Sequence, residues 1–248
     1  MPVGDYLKSA ADLCRRQGTL FVADEVQTGL GRTGRFLAVE HWNVEPDMVL
    51  LAKTLSGGHA VGAVLARREI FNKVFDRMDR AVVHGSTFGS NDLAMAAGIA
   101  TLDVLASEGL IENAARTGEH LLQGLAAMIP EYEFLHDVRG KGLMIGIEIG
   151  APKSLKLKAS WHALETSRPG LFCQLITKPL FKEHKILSQV ASHAGHTIKL
   201  LPPLVISDAD CQTILNAFAA VLADSERVPG AVWSLGKALV GNALRVSA

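Results

Sequence analysis

Residues 46–58 read PDMVLLAKTLSGG, and the reading of this stretch decides the fold. Met48 to Ala52 is an apolar run of strand length, bounded by Pro46 and a glycine turn at Gly57–Gly58. It runs straight into Lys53. An ammonium where a buried strand ends is unfavourable unless it is paired or loses its proton. The lysine therefore asks for a chemical reason.

Upstream, TLFVADEV (residues 19–26) is a short β-rich run that reaches Asp24, and QTGLGRTGRF (27–36) is a glycine-punctuated loop. Downstream, AVGAVLA (60–66) is a third apolar strand. Ahead of all three, Tyr6, Leu7, Ala10, Ala11, Leu13 and Cys14 recur at helical spacing until Gly18. Apolar runs separated by helices or loops predict an α/β fold whose sheet is mostly parallel and covered on both faces. An alanine-rich helix over Asp92–Ser107 and a second over Ile111–Met128 follow.

The character changes after Pro130. EFLHDVRGKGLMIGIEIG (133–150) alternates like two half-solvated antiparallel strands around a basic glycine turn. GLFCQLITKPLFKEH (170–184) reads as a helix interrupted near Pro179. TIKLLPPLVIS (197–207) is strand-like up to Pro202, and Ser207 caps a helix to about Ala223. The expected organisation is residues 1–130 as part of a large domain, 131–227 as a small α+β domain, and 228–248 as a tail with one short helix.

Acids and bases balance at 25 each, so net charge gives no reason to invoke nucleic acid or an anionic membrane. The three cysteines, Cys14, Cys173 and Cys211, are far apart and suggest neither a disulfide framework nor a CxxC site. No apolar run approaches a membrane span, and no signal-peptide layout opens the chain, so a cytoplasmic location is expected. His184, His193 and His196 cluster loosely without a recognisable ligand set, so no metal is expected.

Two strand ends carry the candidate chemistry. Asp24 and Lys53 each close an apolar run, and ligands of open α/β sheets sit outside the carboxyl ends of the strands. A carboxylate and an amine there suit pyridoxal phosphate: the amine forms a Schiff base with the aldehyde, and the carboxylate keeps the pyridine nitrogen protonated. From spacing alone, a structural ion pair or a solvent-facing lysine is the stronger reading.

The segments LFVADEVQTGLGRTGRF, PDMVLLAKTLSGG, GSTFGSN, VRGKGLMIGIEI and PPLVIS occur in this order. Together they resemble class III aminotransferases, the ω-aminotransferase branch of the fold-type-I pyridoxal-phosphate enzymes, from about Pro2 to about Ala223. The resemblance implies that Asp24 partners the pyridine nitrogen and that Gln27 lies near the phenolic oxygen. It makes Lys53 the Schiff-base lysine and the acid/base. Ser86 and Thr87 become phosphate contacts, with Thr87 reaching the neighbouring subunit's cofactor in a homodimer. For Glu25, Arg32 and Thr33 the resemblance implies structural roles; Arg139 is either a substrate-side residue or a solvated turn arginine. The implied reaction is ping-pong transfer of an amino group from an amine or amino acid to an oxo acid. Class III relatives also include aminomutases, racemases and decarboxylases.

Two departures qualify the resemblance. The family has a long N-terminal portion, with a glycine-rich phosphate cup and a ring-stacking aromatic residue, that this sequence lacks. The expectation is a partial large domain with an exposed apolar edge and face, and a chain that needs a partner carrying the missing segment or is a non-catalytic fragment. Lys199 stands where many relatives carry an arginine for the substrate α-carboxylate. Lysine offers a point charge in place of a planar fork, so the expected donor is an amine or an ω-amino acid.

Overall fold

A computed structural model describes residues 1–87, 89, 91–191, 195–227, 230, 233, 234 and 236–238. The chain divides into two compact units, Met1–Ala115 and Arg116–Ala248. Of the tail, 228–248, where one short helix is expected, residues 233, 234 and 236–238 are helical, and the others except 230 lie outside the described residues. Among the described residues, no single helix is long and apolar enough to cross a membrane.

The first unit opens with α1 (Tyr6–Arg16), whose last turn carries Arg15 and Arg16 against the negative end of the helix dipole. Gly18, at φ +63°, turns the chain into β1 (Val22–Asp24). β1 pairs in parallel with β2 (Met48–Leu51), Asp24 standing opposite Leu50. β3 (Ala63–Ala66) then pairs antiparallel with β2, Leu51 opposite Ala63.

The expected mostly parallel sheet is thus a small mixed one of three strands, in the order β1-β2-β3. The connections explain it. Parallel neighbours need a crossover of about a dozen residues or more, commonly a helix, and the segment between Asp24 and Met48 is long enough. Between Leu51 and Ala63 the chain makes only a tight helical turn and a glycine turn, so it doubles back. α2 (Arg68–Val74) and α3 (Asp92–Ser107) follow, and Asn91 caps α3 by accepting from the Ala94 N–H.

This unit leaves apolar side chains in the open. β3 exposes Val64 at 58% and Leu65 at 52%, and α3 exposes Leu93 and Ile99 at over 60%. In α3 only Ala94 and Leu105 are buried. A helix apolar on every side is normally covered on every side.

α4 (Leu110–Ala127) contains the division between the units. The second unit is built on a four-stranded antiparallel sheet, β4 (Leu135–Lys141), β5 (Met144–Ile149), β6 (Gln189–Ala191) and β7 (Thr197–Leu200), in the order β4-β5-β7-β6. Gly142, at φ +51°, makes the two-residue turn between β4 and β5. Alternation along β5 buries Ile145, Ile147 and Ile149 and leaves Met144, Gly146 and Glu148 on the partly open face.

α5 (Leu155–Ser167), α6 (Leu171–Lys182) and α7 (Asp208–Glu226) complete the unit. Phe134, Trp161 and Phe172 pack as an aromatic cluster, with the Phe134 and Phe172 centroids 4.3 Å apart. α6 runs through Pro179 without the expected interruption. The proline costs a backbone N–H hydrogen bond, but Leu171–Cys173, Leu175, Ile176 and Leu180 are all buried around it, and the Glu183 N–H to Pro179 C=O bond of 2.9 Å resumes the ladder. Ser207 caps α7 as expected, in a reciprocal pair with Asp210.

Candidate active site

Parallel pairing of β1 and β2 brings both strands' carboxyl ends to one edge of the sheet. Asp24 closes β1 opposite Leu50, and Lys53 follows three residues beyond that level. Strand alternation puts Ala23 in the core and leaves Asp24 exposed. Asp24 Oδ1 accepts from the Val26 N–H at 3.1 Å, which turns the chain immediately after the strand. Gln27 is exposed in that turn.

Lys53 is exposed and starts the helical turn Lys53–Ser56. Its φ is +52°, in the left-handed region that a lysine rarely adopts and that tends to mark functional positions. The turn is held from below: buried Ser56 Oγ donates to the His59 C=O, and α3 packs against it with Gly98 beside the Leu55 carbonyl. Ser86 and Thr87 are exposed in a separate turn, closed by the Gly89 N–H to Ser86 C=O bond of 3.0 Å. Phe88 and Ser90 of the same motif lie outside the described residues.

The residue that sequence reasoning undervalued is Glu25, only 2% exposed. Once β1 is paired, its alternation sends residue 25 inward beside residue 23. One carboxylate oxygen accepts from the Val39 N–H at 2.9 Å and the other from the Thr28 hydroxyl. Its own N–H donates to the Leu50 C=O at 3.0 Å, which extends the β1–β2 ladder by one residue. Thr33 is also buried and bonds His41, while burial pushes the Arg32 guanidinium below its ordinary value.

In the second unit, Gly146 pairs with Arg139 on one side and Lys199 on the other, so both cations belong to the same face of the sheet. Arg139 is already engaged there. Its Nη1 donates to Asp137 and, at 2.6 Å, to Glu148, and these two carboxylates raise its pKa further. Lys199 is half-buried on that face. Of the three histidines, His196 bonds Glu165 through Nε2 at 2.9 Å, and His193 lies outside the described residues.

Comparison with known proteins gives the family. The chain belongs to the class III aminotransferases, whose family profile matches residues 1–222. Aminotransferase PigE of Serratia sp. (strain ATCC 39006) is 33% identical over 252 residues, covering 89% of this chain and 30% of that protein. Among solved structures, ornithine aminotransferase from Plasmodium yoelii aligns with a TM-score of 0.74 at 35% identity, over 91% of this chain and 53% of that one. An amine transaminase from an uncultivated Pseudomonas species, in its pyridoxal-phosphate-bound form, aligns at 0.76 and 30% identity over 90% and 48%. The chain spans about a third of the length of the curated relatives it matches and about half of the solved chains.

The family uses pyridoxal phosphate. The residues at the β1–β2 edge fit that group chemically: an exposed carboxylate and an exposed amine close adjacent strands, with an amide side chain in the turn between them.

Proposed function

We propose that this chain supplies the lysine and the ring-nitrogen carboxylate of a pyridoxal-phosphate-dependent transaminase. The observation that carries the reading is the meeting of Asp24 and Lys53 at the carboxyl ends of two parallel strands. When bound, the cofactor acts as an electron sink and carries the amino group between donor and acceptor. Asp24 would hold the proton on the ring nitrogen, and Gln27 would face the phenolic oxygen. Lys53 would be the amine that holds the aldehyde carbon and the base that takes the proton from the donor's α-carbon. Ser86 and Thr87 would offer hydroxyl donors to the phosphate.

A homodimer belongs to the same reading, with Thr87 of one copy serving the other copy's cofactor. The exposed apolar residues of α3 and β3 support a covered surface in the working assembly. Lys199 supports an amine or ω-amino acid donor, because a point charge discriminates poorly for an α-carboxylate.

The test is adduct formation. Purified chain mixed with pyridoxal phosphate and then borohydride is expected to carry a fixed adduct on the Lys53 peptide, absent in Lys53→Ala. Soluble, folded protein with no Lys53 adduct, or with equal labelling of the variant, overturns the reading for this chain.

A further inference from the structure

A carboxylate buried beside the exposed Asp24 needs an explanation, because taking a charged group out of water is costly unless its hydrogen bonds are replaced. Glu25 replaces them with bonds to two ends of one loop. Thr28 lies three residues on, and Val39, near the start of the helical turn Ala38–Trp42, lies 14 residues on. The Gly29 N–H donates to the Glu25 C=O at 2.9 Å. A Cβ at Gly29 would stand 2.9 Å from that same oxygen, so the loop closes directly over Glu25. The loop is fastened to itself farther out, where the Leu30 N–H donates to the Phe36 C=O at 2.7 Å.

We infer that Glu25 is a positioning residue for the cofactor's ring nitrogen. Its carboxylate pins both ends of the 26–39 segment, while its amide holds the end of β1 against β2. Asp24, whose carboxylate caps the first amide of that segment, is thereby fixed at the strand edge. Gln27, between Val26, held by Asp24, and Thr28, held by Glu25, is fixed with it. The inference rests on the assignment of Asp24 and Lys53 proposed above and adds a residue that touches neither the cofactor nor the substrate.

The experiment compares wild type, Asp24→Asn, Glu25→Ala, Glu25→Gln and the Asp24→Asn/Glu25→Ala double variant in the full chain. Two readouts are used: the absorbance of the Lys53 adduct as pH is varied, and hydrogen exchange of residues 24–29 and 39 without cofactor. Glu25→Ala is expected to speed that exchange at least about tenfold, the loss of one or two buried hydrogen bonds. It should also give an adduct whose pH response resembles that of Asp24→Asn. In the adduct's pH response, the double variant should be no more perturbed than Asp24→Asn alone. Glu25→Gln, whose amide oxygen can still accept from Val39, should restore most of both readouts.

An adduct in Glu25→Ala with the wild-type pH response overturns the inference and leaves the site assignment standing. So does a Glu25→Gln variant as perturbed as Glu25→Ala. A wild-type chain without a Lys53 adduct overturns the site assignment and the inference together. Should Glu25→Ala fail to fold, Thr28→Val removes one of the two anchors and is read by the same criteria.

Discussion

Gly118→Ala should destabilise the second unit, although helix propensity says the opposite. Gly118 lies inside α4, where alanine is favoured over glycine by about 0.8–1 kcal/mol. A Cβ at Gly118, however, would stand 2.2 Å from the carbonyl carbon and oxygen of Gly142 and 2.5 Å from its Cα. Both sides of the contact are backbone, so no rotamer change relieves it. Overpacking costs about 1–3 kcal/mol, and a clash that only main-chain movement can relieve belongs at the upper end. The net expectation is a loss of about 2 kcal/mol, or roughly 30-fold faster exchange of the α4 amides that open through this unit. Gly98→Ala in α3 is the control, since its Cβ would meet only the Leu55 carbonyl at 3.4 Å. That variant should keep the propensity gain and slow α3 exchange several-fold. Peptide-resolved hydrogen exchange reads each unit separately. A Gly118→Ala protein as protected as wild type would refute the close-contact argument.

Two further outcomes follow from the chemistry of the second unit. Hydrogen bonds from Arg116, with a lesser contribution from His120, hold the Asp208 carboxyl below its ordinary range. A depressed folded-state pKa stabilises above the unfolded value near 4 and is lost as pH falls through the folded one. Asp208→Asn should therefore be less stable than wild type at neutral pH and converge with it once the pH has fallen through the lowered folded-state pKa in acid titrations of unfolding. Burial, aided by the charge of Glu165, pushes the Cys173 thiol up to about 12. Iodoacetamide at mildly alkaline pH should alkylate half-exposed Cys14 and spare Cys173 until the protein is unfolded; equal labelling of both in the native state contradicts this burial.

What could be read ahead of the structure was local. Strand ends at Asp24 and Lys53 were legible because an apolar run and a glycine turn are contiguous signals. So was the cap at Ser207, though not its partner Asp210. The direction of β3 was not, because strand pairing depends on how the intervening residues close a loop, and eleven residues without a full helix reverse the chain. α5 went unread for a different reason: Leu155–Lys158 alternates like a strand, while Leu157, Trp161 and Leu164, all buried, follow helical spacing. Pro179 suggested a break that the buried residues around it override. At the site, residue identity pointed to Asp24 and Lys53, but two adjacent acids gave no sign that one faces solvent and the other lies beneath the loop. That distinction exists only once β1 is paired and its pleat is fixed.

The left-handed backbone of Lys53 has a consequence for descent. A lysine there costs about 1 kcal/mol or more relative to glycine, so the fold alone prefers another residue. On the role proposed for Lys53, keeping the lysine is worthwhile only while its amine is used. A lineage that abandons the chemistry is released from that conflict, and the position should drift toward glycine or asparagine as the backbone relaxes. The residue at position 53 thus serves as a record of use. In a set of otherwise similar chains, it separates those still under selection for catalysis from those that retain the fold for another purpose.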